Sequence, residues 1–158
     1  MKKMNNKGFS LVELIIVIAI MAILIVVLAP QYLKYVEKSR NSPDLQSATE
    51  FRDACEVWAA DPDAGTGGTT AFSVGSFSVE VKSTGITNPA SLDAAVQSAL
   101  ENSGLSSTKF KCMSRNNWDS FTITGTVNSN GSIDWSYTNT KGGTADGTNS
   151  FAKAMGEE

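Results

Sequence analysis

Sixteen consecutive residues, 14–29, are Leu, Ile, Val, Ala or Met. With Phe9 at its head the apolar segment is 21 residues long, about 31 Å as helix and enough to cross a bilayer core. Farther on, Leu45, Ala48, Phe51, Cys55 and Trp58 recur at steps of three and four, which predicts an amphipathic helix with one apolar stripe. Phe77, Val79 and Val81 alternate with polar residues and predict a strand. Leu92, Ala95, Val96, Ala99 and Leu100 share one helical face within residues 89–102, and Gly104 is placed to end that helix. Alternation returns at Phe110 and Cys112, then at Phe121, Ile123 and Val127, and Asn130-Gly131 predicts a tight hairpin before Ile133, Trp135 and Tyr137. Strands with one apolar face need a cover, and the stripe of residues 45–58 supplies it. The expected fold is α+β: a long N-terminal helix packed on a small antiparallel sheet.

Prolines punctuate the long helix. Pro30 lacks the N–H that would reach the carbonyl of Val26, so a bend is expected there. Ser42-Pro43-Asp44 reads as a helix start, with a capping hydroxyl, a first-turn proline and an acid at the positive end of the dipole. Asp61-Pro62 ends the run. The Gly-rich stretch 61–70 carries Asp61 and Asp63 but lacks the other ligand positions of a calcium loop, so it reads as a connector. Residues 141–158, rich in Gly, Thr and Asn with isolated Phe151 and Met155, are expected to run over the surface or fray.

Composition narrows the chemistry. The 158 residues include no histidine, which removes histidine-based triads, histidine-ligated zinc and an imidazole pH switch. No nucleophile–base pair or metal cluster can be assembled from the motifs, so no enzyme, cofactor or metal is expected. Lys2, Lys3 and Lys7 precede the apolar segment, and without them ten basic residues face sixteen acidic ones. An acidic body of this kind is a poor nucleic-acid binder. The basic head places the N-terminus on the cytoplasmic side of a membrane and the rest beyond it.

Three readings of the apolar segment compete: a cleaved secretory signal, a plain anchor, and a processed anchor that later becomes a structural helix. Pro30 directly after Val27-Leu28-Ala29 disfavours signal-peptidase cleavage. Glu13 lies inside the segment, where a carboxylate costs a few kcal/mol unless paired.

Lys7-Gly8-Phe9-Ser10-Leu11-Val12-Glu13-Leu14, with an aliphatic run to Pro30, resembles the N-terminus of type IV pilins, most closely a major pilin. The resemblance covers roughly residues 1–60 and divides the chain into a leader (1–8), a transmembrane and filament-core helix (9–30), an exposed helical half (31–60), a globular head (61–140) and a tail (141–158). It implies cleavage after Gly8 by a prepilin peptidase and N-methylation of Phe9. It also implies that the Phe9 amine pairs with Glu13 within or between subunits to set the register of assembly. A segment near Pro30 that melts in the filament is the family's alternative to a simple kink. The implied partners are further copies of the chain, membrane lipid before assembly, and an assembly platform with its ATPase. The implied location is the cytoplasmic membrane and then the cell surface, where the filament serves adhesion, motility or aggregation. A minor pilin or a pseudopilin of a secretion or competence system shares the same N-terminus. A surface-binding module held by its anchor, or secreted, is the more distant alternative.

Export to an oxidising compartment makes a Cys55–Cys112 disulfide feasible near a sheet edge. The usual spacing of a helix on a sheet favours two buried thiols instead. Many pilins fasten the C-terminal region with a disulfide; here neither cysteine lies in the tail.

Overall fold

The computed structural model describes residues 10–87, 93–105 and 109–156. The chain forms two units, residues 1–36 and 37–158. One helix, α1 (Leu11–Ala60), contributes to both. It is assigned as continuous helix through Pro30 and Pro43, so neither proline ends it and the new start expected at Ser42-Pro43-Asp44 does not appear. A proline deletes one hydrogen bond and crowds one carbonyl, yet a helix already nucleated on both sides resumes without a new nucleus.

The second unit is an α+β head. Its sheet comprises β1 (Gly75–Lys82), β2 (Gly85–Ile86), β3 (Ser120–Val127), β4 (Ile133–Lys141) and β5 (Thr144–Ala145). Every pairing is antiparallel, in the order β2-β1-β3-β4-β5. Cross-strand rows place Val79 beside Ile123 and Tyr137, and Val81 beside Phe121 and Asn139. These inward side chains form one core with Ala48, Phe51, Cys55 and Trp58 of α1, the face that the periodicity marks. In the row Phe77–Gly125–Trp135, a Cβ on Gly125 would lie 2.8 Å from Cε1 of Phe77. The missing side chain lets the Phe77 and Trp135 rings meet edge to face across β3, with centroids 5.8 Å apart.

Helix α2 (Ala94–Asn102) is capped by Asp93, whose carboxylate accepts from the Ala95 N–H at 2.8 Å. The start expected at residue 89, and Leu92, lie outside the described residues. The β3–β4 connection holds five residues, 128–132, rather than a two-residue turn. Asn128 N–H donates to the Ser132 carbonyl, and Gly131 takes φ +85°, which its lack of a side chain permits.

Two expectations fail. Residues around Phe110 and Cys112 are not a strand: Cys112 N–H donates to the Lys82 carbonyl, but the backbone N–H groups after it go to carboxylates of α1. Nor does the tail fray. Strand β5 and helix α3 (Ser150–Met155) return it to the sheet, and Phe151 is fully buried. Its ring stacks on Phe121 at 4.3 Å and meets Trp118 edge to face at 5.1 Å.

A buried asparagine fastens this tail. Asn139 Oδ1 accepts from the Phe151 N–H at 3.1 Å, while its amide donates to Asp146 at 3.0 Å. Asp146 also accepts from Thr148 and Ser150. Donation from Asn139, then from Thr148 and Ser150, holds its carboxyl far below the usual carboxylate range. An aromatic plug and a polar clip do the work of a tail disulfide.

Candidate assembly segment and carboxylate clamp

In the first unit, α1 presents apolar side chains on every side. Leu11, Ile16, Ile20, Leu24 and Leu28 are all more than half exposed, and the most apolar window of the helix contains no buried residue. A helix that is hydrophobic all round requires lipid or protein around it. In water, that much contiguous apolar surface has no stable monomeric state.

The one charge in this apolar stretch has a local partner. Ser10 precedes the helix, and its backbone N–H donates to Glu13 Oε2 at 2.9 Å. That is one half of a capping box, with the acid reaching back to a first-turn donor that the helix leaves unsatisfied. The Ser-x-x-Glu spacing of Ser10 and Glu13 was the sequence signal for it. The carboxylate also sits at the positive end of the helix dipole.

Two buried acids of α1 lie within the head, and their role is not apparent from periodicity. Glu37 and Asp44 stand seven residues apart, so they share a helical face, the one carrying Ala48, Phe51 and Cys55. Both are buried, at 6% and 0% exposure. Glu37 Oε1 accepts from the Ser114 hydroxyl at 2.7 Å and from the backbone N–H groups of Arg115 (3.0 Å), Asn116 (2.8 Å) and Asn117 (3.2 Å). Successive N–H groups converging on one oxygen form an anion nest. Asp44 accepts from Met113 N–H at 2.6 Å, Ser114 N–H at 3.0 Å and the Trp118 indole at 2.8 Å. Together the two acids clamp residues 113–118 onto the helix.

Burial pushes the Glu37 carboxyl up. Donation from Asn116, Ser114, Arg115 and Asn117 outweighs it and holds the group at about 2. Asp44, which the Ser-Pro-Asp pattern marks as a helix start, is instead an interior residue with its carboxylate turned to the loop. Acids recurring on an apolar stripe were the available signal for both.

Cys55 and Cys112 are free and buried, so the disulfide alternative does not hold here. The Cys112 thiol lies 3.7 Å from Asp44 Oδ2, inside the clamp and turned to that carboxylate. Burial pushes both thiols up to about 12; the charge of Glu56 adds to this at Cys55 and that of Asp44 at Cys112. Neither is a nucleophile at neutral pH. Titration with a thiol reagent should therefore find almost no reaction in the folded protein and two thiols after denaturation. Two thiols reacting at once in the folded state, or none after denaturation, would contradict this arrangement.

The chain matches the prokaryotic N-terminal methylation motif over residues 3–29. A Type IV major fimbrial protein FimA of Dichelobacter nodosus is 39% identical over 59 residues, covering 37% of this chain and 38% of the relative. A second FimA of that organism gives the same identity and coverage. The N-terminal third of the chain is therefore similar to that of type IV fimbrial proteins.

The match spans under two-fifths of the length of those relatives, and no solved structure matches the chain. The long apolar helix and the antiparallel sheet are consistent with an α+β pilin fold. Within the prepilin motif, Gly8 and Phe9, the expected cleavage and methylation residues, lie outside the described residues. Ser10 and Glu13 are the motif positions whose geometry is visible. The methylation motif, which takes in the apolar start of α1, fits both a membrane-held precursor and a filament subunit.

Proposed function

We propose that the chain is the structural subunit of a type IV pilus, a major pilin and not an enzyme. It is made as a precursor held in the cytoplasmic membrane, with its basic leader inside. A prepilin peptidase cleaves after Gly8 and the new N-terminus at Phe9 is methylated. The assembly platform and its ATPase then draw the subunit from lipid into a homopolymer that serves surface adhesion, motility or aggregation.

The observation that carries this reading is the exposed apolar first half of α1 inside a matched methylation motif. Lipid and the same helices of other copies are interchangeable solvents for such a surface, so transfer between them leaves no apolar face in water. The FimA relatives, named as major fimbrial proteins, favour a main subunit over a minor one.

Intact-mass measurement of material sheared from the cell surface tests the reading. The expected chain starts at Phe9 and carries one extra methyl group. A soluble chain starting at Pro30 would instead mean simple secretion.

A further inference from the structure

The head is electrically polar, and the sheet register shows how. Residues 37–158 carry nine basic and fifteen acidic side chains, and the two signs gather at opposite ends of the fold. The row Lys82–Ser120–Thr140 closes one end of the sheet, and Lys141 follows it. Cys112 N–H donates to the Lys82 carbonyl, which brings Lys111 to this end. Arg115 N–H donates to Glu37, which brings Arg115 to the stretch of α1 that holds Lys38 and Arg40. At the other end, the row Gly75–Val127–Ile133 leads into a hairpin that shares a cleft with Glu56, Ala59 and Ala60. Here stand Glu56 and Asp134, with Asp61 and Asp63 just beyond α1. The nearby cation Arg52 is already 3.6 Å from both Asp53 and Glu56.

At the basic end, Lys38, Arg40, Lys111, Arg115 and Lys141 make no ion pair among the described residues, and all but the half-buried Arg40 are exposed. The acids there are taken up by other groups. Glu37 and Asp44 turn inward to the 113–118 loop, and Asp119 accepts from the Gly142 N–H. Glu80 pairs with Lys82 at 3.1 Å, and Asp146 is held by Asn139, Thr148 and Ser150.

We propose that this basic end docks the head on anionic phospholipid headgroups at the outer surface of the membrane that holds the precursor. The inference rests on the membrane-held precursor reading. The head begins at Glu37, eight residues after the apolar run ends at Ala29 on the same helix. With Lys34, Lys38 and Arg40 are the first cations beyond that run. Lys38 and Arg40 lie on opposite sides of α1, which suits a layer of headgroups lying across the helix and not a partner along one flank. Each cation near such a surface is attracted to it, and the acidic remainder of the head is repelled, so both effects turn the same end to the lipid. Docking holds the head in one orientation during storage and releases it when the subunit leaves the membrane.

Hydrogen exchange of the full chain in nanodiscs tests this, comparing phosphatidylcholine alone with an equal mixture of phosphatidylcholine and phosphatidylglycerol. Peptides covering 111–117 and 139–144 are expected to exchange about threefold or more slowly on the anionic discs, with the 128–132 hairpin unchanged. The difference should vanish in about 0.5 M salt. It should vanish also in the triple variant Lys111→Glu, Arg115→Glu, Lys141→Glu, whose altered side chains are exposed in the wild type; tryptophan fluorescence matching wild type would show that its head is folded. Equal exchange on the two discs, slowing at both ends alike, or slowing that survives salt would overturn the docking while leaving the membrane-held precursor intact. So would stronger protection of the basic end by a DNA oligonucleotide added to neutral discs. If the full chain does not insert into discs at all, the precursor reading falls and the docking falls with it.

Discussion

Replacing Asp44 with alanine is expected to destabilise the head by about 3–5 kcal/mol, a large part of the 5–15 kcal/mol available to a domain of this size. Asp44 is fully buried and accepts from Met113, Ser114 and the Trp118 indole. Alanine removes the acceptor and leaves three donors without partners, two of them buried, the Ser114 N–H and the Trp118 indole, which is the costly direction. Trp118 reports the change directly, since its ring also packs against Phe151 of the tail. Urea unfolding of the full chain in detergent, followed by tryptophan fluorescence, should show a lower midpoint and a red-shifted folded-state emission. Ser42→Ala, whose hydroxyl makes an exposed bond to the Lys38 carbonyl, is the control and should shift stability by less than about 0.5 kcal/mol. An Asp44→Ala change within 1 kcal/mol of wild type would mean that the loop is held by other contacts.

Glu37 gives the same clamp a pH dependence of known sign. Its folded value of about 2 lies below the ordinary 4.5. Its contribution is therefore complete above about 4.5 and lost as pH falls toward 2. Glu37→Gln should make the fall in stability across that window shallower, because the amide does not titrate, while Asp146 keeps its own share.

Periodicity revealed the elements and missed the fastenings between them. The stripe at Ala48, Phe51, Cys55 and Trp58 and the alternation in β1, β3 and β4 were legible because burial repeats with the geometry of the element. The clamp was not, because it joins Glu37 and Asp44 to residues some seventy to eighty positions away. Local rules read Ser42-Pro43-Asp44 as a start signal, but in the fold Ser42 donates back to the Lys38 carbonyl and Asp44 turns to the loop, so tertiary contacts override the local pattern. The tail was misread for a related reason. Its composition is that of a flexible segment, but its anchors are single residues, Phe151 in the core and Asp146 on Asn139 of β4, and one aromatic in a pocket outweighs a polar average. At the N-terminus the situation reverses. There the apolar run alone marked the helix that the fold leaves exposed, because its surface among the described residues is set by composition and not by tertiary contacts.

Glu13→Leu is expected to abolish filament assembly or reduce it by at least about tenfold, while leaving the precursor in the membrane. Removing a carboxylate from an apolar helix favours insertion, by a few kcal/mol on insertion scales. A loss of filaments would therefore not come from failed membrane storage. In the proposed cycle, cleavage exposes a cation at Phe9, one helical turn before Glu13, and opposite charges about 4 Å apart attract by a few kcal/mol at an effective dielectric near 20. Desolvation offsets much of that attraction, so the pair selects register more than it adds strength. Glu13 is also a helix cap through the Ser10 N–H, and Glu13→Gln separates the two roles. Glutamine can still accept from Ser10 but carries no charge. If charge sets the register, Glu13→Gln assembles as poorly as Glu13→Leu. If capping is what matters, Glu13→Gln assembles like wild type and the ion-pair account fails. Comparing sheared and membrane-held protein for the two variants decides between these outcomes.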